Sequence, residues 1–394
     1  MKTKLFTRLT PLYIAAFFQS LNFWFAIEKI FMRSIGFDDV AIGIAAALFT
    51  AVVVLLEAPS GILADRWSRK GVLIIASVAM VATSLLAGLS DTVLMYTLSI
   101  MLIGVYFAMY SGTYEAVVYD TLLEEQGESD RYEATYGRFQ IIFSISLILG
   151  SIFGGVISSI YEPQTAYFAT IPAALLAIVA LLFFKEPKLH KNVDERTVIT
   201  QVRDTFRMVA GKEAARALVI VLTMLIASTA LLFEYAQVWY LALMVPVVWF
   251  GVLYASLNAA IGFAGFLAQF VAKKDYLIMG AFGLIITASI GLLFEQLWLL
   301  IAAQFVLQTF LIVLTVVLTK RFQDTVTSRN RAGAGSALGT MAQLLAIALY
   351  LVFGFVSDTY SVYTAGIIFV IMASFATMIS WHGKVLRVYT RIHE

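Results

Sequence analysis

The chain has 394 residues, 61% of them hydrophobic and 13% charged, with a net charge of +2 and a mean hydropathy of +0.89. A water-soluble domain carries about 45–50% apolar and about 25% charged residues, so this composition excludes a soluble globular protein and requires a chain that crosses a bilayer many times. The lack of Cys excludes disulfides and thiolate chemistry, and the three His (His190, His382, His393) fall in expected loops or the tail, which argues against an imidazole metal site inside the membrane.

A crossing helix needs about 20 mostly apolar residues. Read in order, such runs lie near 9–33, 39–63, 71–89, 93–123, 135–160, 165–184, 216–243, 246–271, 276–294, 297–320, 332–356 and 361–383. The start, Met1-Lys2-Thr3-Lys4, has the charge of a signal n-region, but the apolar run behind it is too long and ends in no small-residue cleavage site. It reads as a retained first span. The expected fold class is therefore an all-α polytopic membrane protein with twelve transmembrane helices. Its predicted parts are a six-helix bundle over 1–184, a cytoplasmic linker over 185–215 and a second six-helix bundle over 216–394. Within the linker, 197–209 reads as an amphipathic helix lying on the membrane surface, with Val198, Val202, Phe206 and Val209 on one side.

Lys and Arg fix the orientation. With the N-terminus inside, only Lys29 and Arg33 fall towards the outer face, which leaves 25 of the 27 basic residues on the cytoplasmic side. Both termini are then cytoplasmic and the location is the cell membrane.

The most charged hairpin joins the second and third spans as Gly61-Ile62-Leu63-Ala64-Asp65-Arg66-Trp67-Ser68-Arg69-Lys70. A gapless partner occurs at the same place in the second half. Gly265, Leu267-Ala268, Lys273-Lys274 and Leu277-Ile278 repeat Gly61, Leu63-Ala64, Arg69-Lys70 and Leu73-Ile74, while Gln269 and Phe270 stand where Asp65 and Arg66 do. Two pseudo-symmetric bundles joined by a linker form a common transporter plan.

Gly61-x-Leu63-Ala64-Asp65-Arg66-x-x-Arg69-Lys70 resembles the loop signature of the major facilitator superfamily, with Ser68 where Gly is usual. Gly137, Ser146, Gly150, Ser151, Gly154 and Gly155 in the fifth span resemble the antiporter signature of that superfamily's drug–proton exporters, with Ser146 in place of Gly and Ser151 in place of Pro. The exporters' Arg in the fourth span would fall near Ile100 and is missing, as are the sugar-porter signatures. The resemblance implies the superfamily's twelve-helix fold, transport by alternating access, and a gating role for Asp65. Asp65, Arg66, Arg69 and Lys70, with Asp120 and Arg138, are expected to form a latch on the inner face. The alternative is a loop retained only for topology. Gly150, Gly154 and Gly155 are expected to give the fifth helix a small-residue face for close packing, with a seal between the two halves as its functional form.

Acids inside a span are costly and point to a pathway or a partner. Glu57 and Glu115 each lie eight residues from the inner end of their spans, about 12 Å deep. The resemblance places the second and fourth helices near each other, so the two carboxylates are expected to share a proton. Glu28 and Glu234 occupy outer halves, and adjacent Lys29 is not expected to face Glu28. Candidate substrate contacts are Glu28, Asn22 and Trp24 on the first helix, Tyr110 on the fourth, and Glu234, Gln237 and Trp239 on the seventh. Asn258, Gln304 and Gln308 on the eighth and tenth complete the set, with Gln19, Phe23, Tyr235 and Tyr240 beside them. An aromatic cavity with few carboxylates suits a lipophilic, cationic substrate.

The sequence thus reads as a secondary active transporter, a proton-coupled exporter of a lipophilic or cationic small molecule. Import of a polar metabolite is the alternative, and a membrane sensor or enzyme on a transporter fold a distant third. No buried nucleophile constellation suggests an enzyme. The expected partners are a small-molecule substrate, protons and the lipid bilayer, with no nucleic acid, cofactor or metal, and the expected state is a monomer.

Overall fold

A computed structural model describes residues 2–126, 132–187, 213–326 and 331–382. The segment 197–209, His190 and His393 lie outside them. Among the described residues the structure is helical and holds no strand. In the first half the helices are α1 Lys2–Ser20, α2 Glu28–Ser34, α3 Asp39–Arg66, α4 Arg69–Gly88, α5 Val93–Tyr110, α6 Thr113–Gln126, α7 Tyr132–Ile160 and α8 Gln164–Phe183. They are followed by α9 Glu213–Ala242, α10 Val247–Val271, α11 Asp275–Gly291, α12 Leu297–Thr325, α13 Arg331–Thr359, α14 Val362–Ala365 and α15 Ile367–His382.

A helix satisfies its backbone groups within one segment and without water, so the apolar runs become helices and the polar punctuation becomes caps. Asp38 accepts from Ala41 N at 2.7 Å to start α3, Ser68 from Gly71 N at 2.8 Å to start α4, and Thr92 from Met95 N at 3.3 Å to start α5. A tight turn before Pro246 joins α9 to α10, with Met244 in the left-handed region at φ 52°.

Ten of the described helical stretches are long and apolar enough to cross a membrane. The other two expected spans differ. The ninth is the apolar but shorter α11. The first is not continuous: it stops at Ser20, passes through an open stretch and a 3-10 turn at Phe25–Ile27, and resumes as α2. Asn22 causes and stabilises that break, because its Oδ1 accepts from Trp24 N (3.1 Å) and Phe25 N (3.2 Å). Phe23 N donates to Thr170 Oγ1 at 3.2 Å.

The fourth expected span also breaks. α5 ends at Tyr110, Gly112 takes φ +69°, and α6 starts at Thr113. Only glycine enters that region freely.

The chain forms two compact units, Met1–Asp194 with Val245–Ala255, and Glu195–Met244 with Ser256–Glu394. In the first, α4 packs on α5 and α8, α3 on α5, and α1 on α8 and α7. Leu9, Leu12, Leu73, Val117, Val118, Leu122, Phe139 and Leu181 fill its core near the hairpin. In the second, α9 packs on α12 and α13, and α11 on α12 and α15.

The small-residue face of α7 has a specific occupant. A Cβ on Gly154 would lie 1.7 Å from Phe23 O, and one on Gly150 would lie 2.5 Å from Asn22 O. The break in the first span is therefore seated in the α7 groove inside the first unit, with Ser146 Oγ donating to Phe17 O at 2.5 Å beside it. Gly155 meets the backbone of Gly251, at the start of α10, in that same unit. The expected role of Gly150 and Gly154 as a seal between halves is corrected: they admit the interrupted first helix.

Candidate functional site

The hairpin between α3 and α4 holds the densest charge network of the first unit, and Arg69 is its hub. Its guanidinium bonds Asp120 of α6 very closely, Ala116 O at 3.0 Å and Asp65 at 3.1 Å. Arg69 and Asp120 are mostly buried, with side chains 13% and 20% exposed, whereas Asp65 is 50% exposed. Asp65 is thus the rim of the network and Arg69–Asp120 its centre.

Glu186, just past α8, completes the network and is absent from the sequence-based set. Its carboxylate accepts from Arg69 N (2.6 Å), Lys70 N (3.2 Å) and Ser68 Oγ (2.6 Å). A negative charge on the free N–H groups of a helix start is favourable by both hydrogen bonding and the helix dipole. Lys70 returns the interaction, donating from Nζ to Leu182 O (2.8 Å) and Phe184 O (3.0 Å) at the end of α8. The sequence signal was Lys185-Glu186-Pro187, a charged stop directly behind an apolar run.

Other members of the expected latch fall elsewhere. Arg138 lies against the Tyr13 hydroxyl, not Asp120, because Arg69 already occupies that carboxylate. Arg66 and Gly61 are exposed, and a Cβ on Gly61 would meet nothing within 4 Å.

The expected Glu57–Glu115 pair is not formed. Glu57 is half-buried in α3, and among the described residues its carboxylate has no hydrogen-bond or ion-pair partner. Glu115 is exposed in the first turn of α6 and accepts from Tyr136 Oη at 2.8 Å. The break at Gly112 is the reason: depth counted along one straight helix does not survive a change of axis. Around Glu115 stand Tyr119, Tyr132 and Tyr136. Tyr132 stacks on Tyr136 at 5.7 Å with nearly parallel planes, and Tyr119 meets Tyr132 edge-on at 5.6 Å. Burial first, and then the Glu115 charge, hold the Tyr132 phenol above its ordinary range.

Glu28 and Lys29 do face each other, contrary to expectation. Lys29 Nζ lies 3.0 Å from Glu28 Oε2 and is 1% exposed as a residue. Glu28 is helical, at φ −52° and ψ −48°, and both residues belong to α2, so the contact is made by the reach of the two side chains at the helix start. Tyr96 Oη donates to Glu28 at 3.4 Å and shares a 2.6 Å hydrogen bond with Tyr167 Oη. Trp24 stacks on Tyr167 at 4.9 Å, and its buried indole N–H has no partner among the described residues. Asn22 is occupied with the helix break. Tyr110 is half-buried, packed among Tyr106, Tyr114 and Phe143. Gln19 is fully engaged, donating to Leu73 O and Ser77 Oγ and accepting from Tyr114.

In the second unit the candidate residues are mainly held by backbone carbonyls. Trp239 is buried and donates to Leu292 O at 3.1 Å, and Tyr235 donates to Tyr350 O at 3.0 Å. Gln304 accepts from Tyr240 and donates to Ala236 O at 3.3 Å. Gln237 and Asn258 are buried, and Glu234 is half-buried. Gln308 is fully buried, and among the described residues neither of its amide atoms has a hydrogen-bond partner. A crevice in this unit is lined by Met224, Ser228, Ile285, Leu311, Phe369 and Met372, among others, and none of the candidates lines it. The second unit also carries an unexpected ion pair, Arg321 Nη2 to Asp275 Oδ1 at 2.7 Å, joining α12 to the start of α11.

The Major Facilitator Superfamily profile matches residues 9–293. The chain belongs to the major facilitator superfamily. Two relatives are similar in sequence: the class H tetracycline resistance protein of Pasteurella multocida, 28% identical over 36% of this chain and 34% of its own length, and multidrug resistance protein 1 of Bacillus subtilis (strain 168), 24% identical over 48% and 46%. The chain thus spans about a third to a half of the length of these relatives. Solved structures extend the likeness in fold to nearly the whole chain. A bacterial homologue of the human lysosomal transporter Spinster, inward-facing and unoccupied, is 14% identical with a TM-score of 0.78, covering 99% of this chain and 98% of that one. The nucleoside transporter NupG is 15% identical with a TM-score of 0.75, covering 98% and 99%. The chain is a multi-pass membrane protein of this superfamily.

Proposed function

We propose that this chain is a secondary active transporter that exports a lipophilic or cationic small molecule from the cytoplasm in exchange for protons. The 1–184 and 216–394 bundles are the bodies that alternate, the 185–215 linker joins them, and both termini face the cytoplasm. The lopsided placement of Lys and Arg supports the orientation. The two relatives named for drug resistance support export.

The observation that carries the coupling is Glu57. A carboxylate inside a span, half-buried and with no partner among the described residues, has nothing to neutralise it except a proton. In the cycle, Glu57 takes up a proton when its side of α3 opens outward and releases it to the cytoplasm. Arg69 holds α3, α4 and α6 together at the hairpin end while the inner side is closed, and Asp65 lets go first because it is the exposed arm. Glu115, with no direct carboxylate neighbour, binds substrate instead of sharing the proton.

Import of a polar metabolite is the second reading. The bare amide of buried Gln308 favours it, since an unpaired buried amide asks for a polar ligand. Proteoliposomes with an imposed pH gradient, scanned over lipophilic cations and small metabolites, separate the two. Gradient-driven accumulation of cations supports export by exchange. Gradient-driven movement of metabolites in the same direction as protons supports the second reading, and no dependence on the gradient defeats proton coupling.

A further inference from the structure

Glu115 and three tyrosines form a compact arrangement near the hairpin end of the first unit. Glu115 and Tyr119 are four residues apart on α6, and Tyr132 and Tyr136 are four apart on α7, so each pair shares a helix face. The two faces meet at two corners. Tyr136 Oη donates to Glu115 Oε1 at 2.8 Å, and Tyr119 packs edge-on against Tyr132 at 5.6 Å. The rings of Tyr132 and Tyr136 lie parallel to within 4°.

Three properties make this more than aromatic packing. The carboxylate is exposed, and among the described residues no Lys, Arg or His pairs with it. Two described basic groups of the neighbouring helices are engaged elsewhere: Arg69 with Asp120, and Arg138 with Tyr13. Tyr119 is 42% exposed, so the rim of the arrangement is open and partly apolar. Phenol rings present a negative face that attracts cations. A full negative charge beside such faces attracts a cation still more, and the apolar ring area rewards a cation that carries hydrocarbon. A small hydrated ion gains little there, because it would lose its water shell without enough oxygen ligands in return.

We infer that Glu115, Tyr119, Tyr132 and Tyr136 form a docking site for bulky organic cations, in which the carboxylate supplies the counter-charge and the rings supply apolar and cation–π contact. This rests on the transporter reading and deepens it, by giving the first contact of the substrate a location and a chemical class. Tyr136 acts twice, as a ring and as the hydroxyl that orients the Glu115 carboxylate.

The test is equilibrium binding of radiolabelled tetraphenylphosphonium to the full-length protein purified in detergent, with neutral triphenylphosphine oxide as the uncharged comparison. Wild type should bind the cation at least tenfold more tightly than the oxide. Glu115→Gln should weaken cation binding about tenfold and leave binding of the oxide unchanged. Tyr132→Leu or Tyr119→Leu should weaken both ligands about threefold to tenfold. Glu115→Asp keeps the charge and should stay within about threefold of wild type, which guards against a loss that comes from misfolding. Equal binding of cation and oxide by wild type, or unchanged cation binding in Glu115→Gln, overturns the inference. Because no gradient is involved, the outcomes separate. Transport that proceeds normally in Glu115→Gln removes the site and leaves the transporter. Glu115-dependent binding without gradient-driven transport keeps the site and removes the proton coupling.

Discussion

In the first unit the start of α4 presents Arg69 to Asp120 of α6, and in the second the start of α11 presents Asp275 to Arg321 of α12. The two hairpins are sequence repeats, yet their ion pairs run in opposite directions. Asp275 lies two residues beyond Lys273, the counterpart of Arg69. The difference shows what each helix start requires. The N-terminus of a helix favours negative charge. α11 begins with its own acid. α4 begins with two cations, and it recruits Glu186 from behind α8 to satisfy the same N–H groups. The second hairpin lacks an acid at Gln269 but is not without an ion pair. Its acid has moved into the helix start, where a single partner suffices, whereas the first unit needs a network of Asp65, Ser68, Arg69, Asp120 and Glu186.

Substitutions can break this comparison, and the largest effect should come from the hub. Arg69→Ala leaves Asp120 mostly buried without its counter-charge, at about 3 kcal/mol. Its transport rate in proteoliposomes should fall at least tenfold, with a clear drop in the thermal unfolding temperature of purified protein. Arg321→Ala removes a smaller contact whose acid is 43% exposed, so its cost should be about 1–2 kcal/mol by the same unfolding measurement. Exchanging the charges sharpens the contrast. Asp275→Arg combined with Arg321→Asp should recover part of the loss of either single reversal, the remainder being the cost of a cation at the α11 start. Arg69→Asp combined with Asp120→Arg should not, because Asp65 and Glu186 remain beside the new carboxylate.

Smaller effects follow from the outer members. Glu186→Gln keeps an acceptor but loses the charge at the α4 start, at about 1 kcal/mol. Asp65→Asn touches only a half-exposed pair four residues apart, worth about 0.3–0.5 kcal/mol. Its transport should stay within about twofold of wild type. A loss as large as that of Arg69→Ala would make Asp65 the hub after all.

Much of the fold was readable because a membrane span is a local property. Apolar length, Lys and Arg placement and the repeated hairpin need no partner from elsewhere in the chain. The two breaks were not readable in the same way. Asn22 interrupts a run that stays apolar around it, and its seat on Gly150 and Gly154 lies more than a hundred residues away. Ser111-Gly112 is a visible breaker pair, but an unbroken apolar run concealed it. The places of Glu57 and Glu115 along the chain were countable from the sequence. Direction was not, since the bend at Gly112 turns Glu115 towards Tyr136 of α7. Glu186 and Arg321 were missed for one reason: their partners are distant in sequence, and a charge at a span end reads first as topology. Tyr132 and Tyr136 carried a signal at four-residue spacing, which abundant aromatics elsewhere obscured.

The central claim is that Glu57 carries the proton. The most direct measurement is the lumenal pH change that substrate addition causes in proteoliposomes loaded with a pH-sensitive dye, compared between wild type and Glu57→Gln. The account predicts substrate-induced proton movement in wild type and none in Glu57→Gln, while substrate counterflow continues in both. Equal proton movement in the two proteins would contradict it.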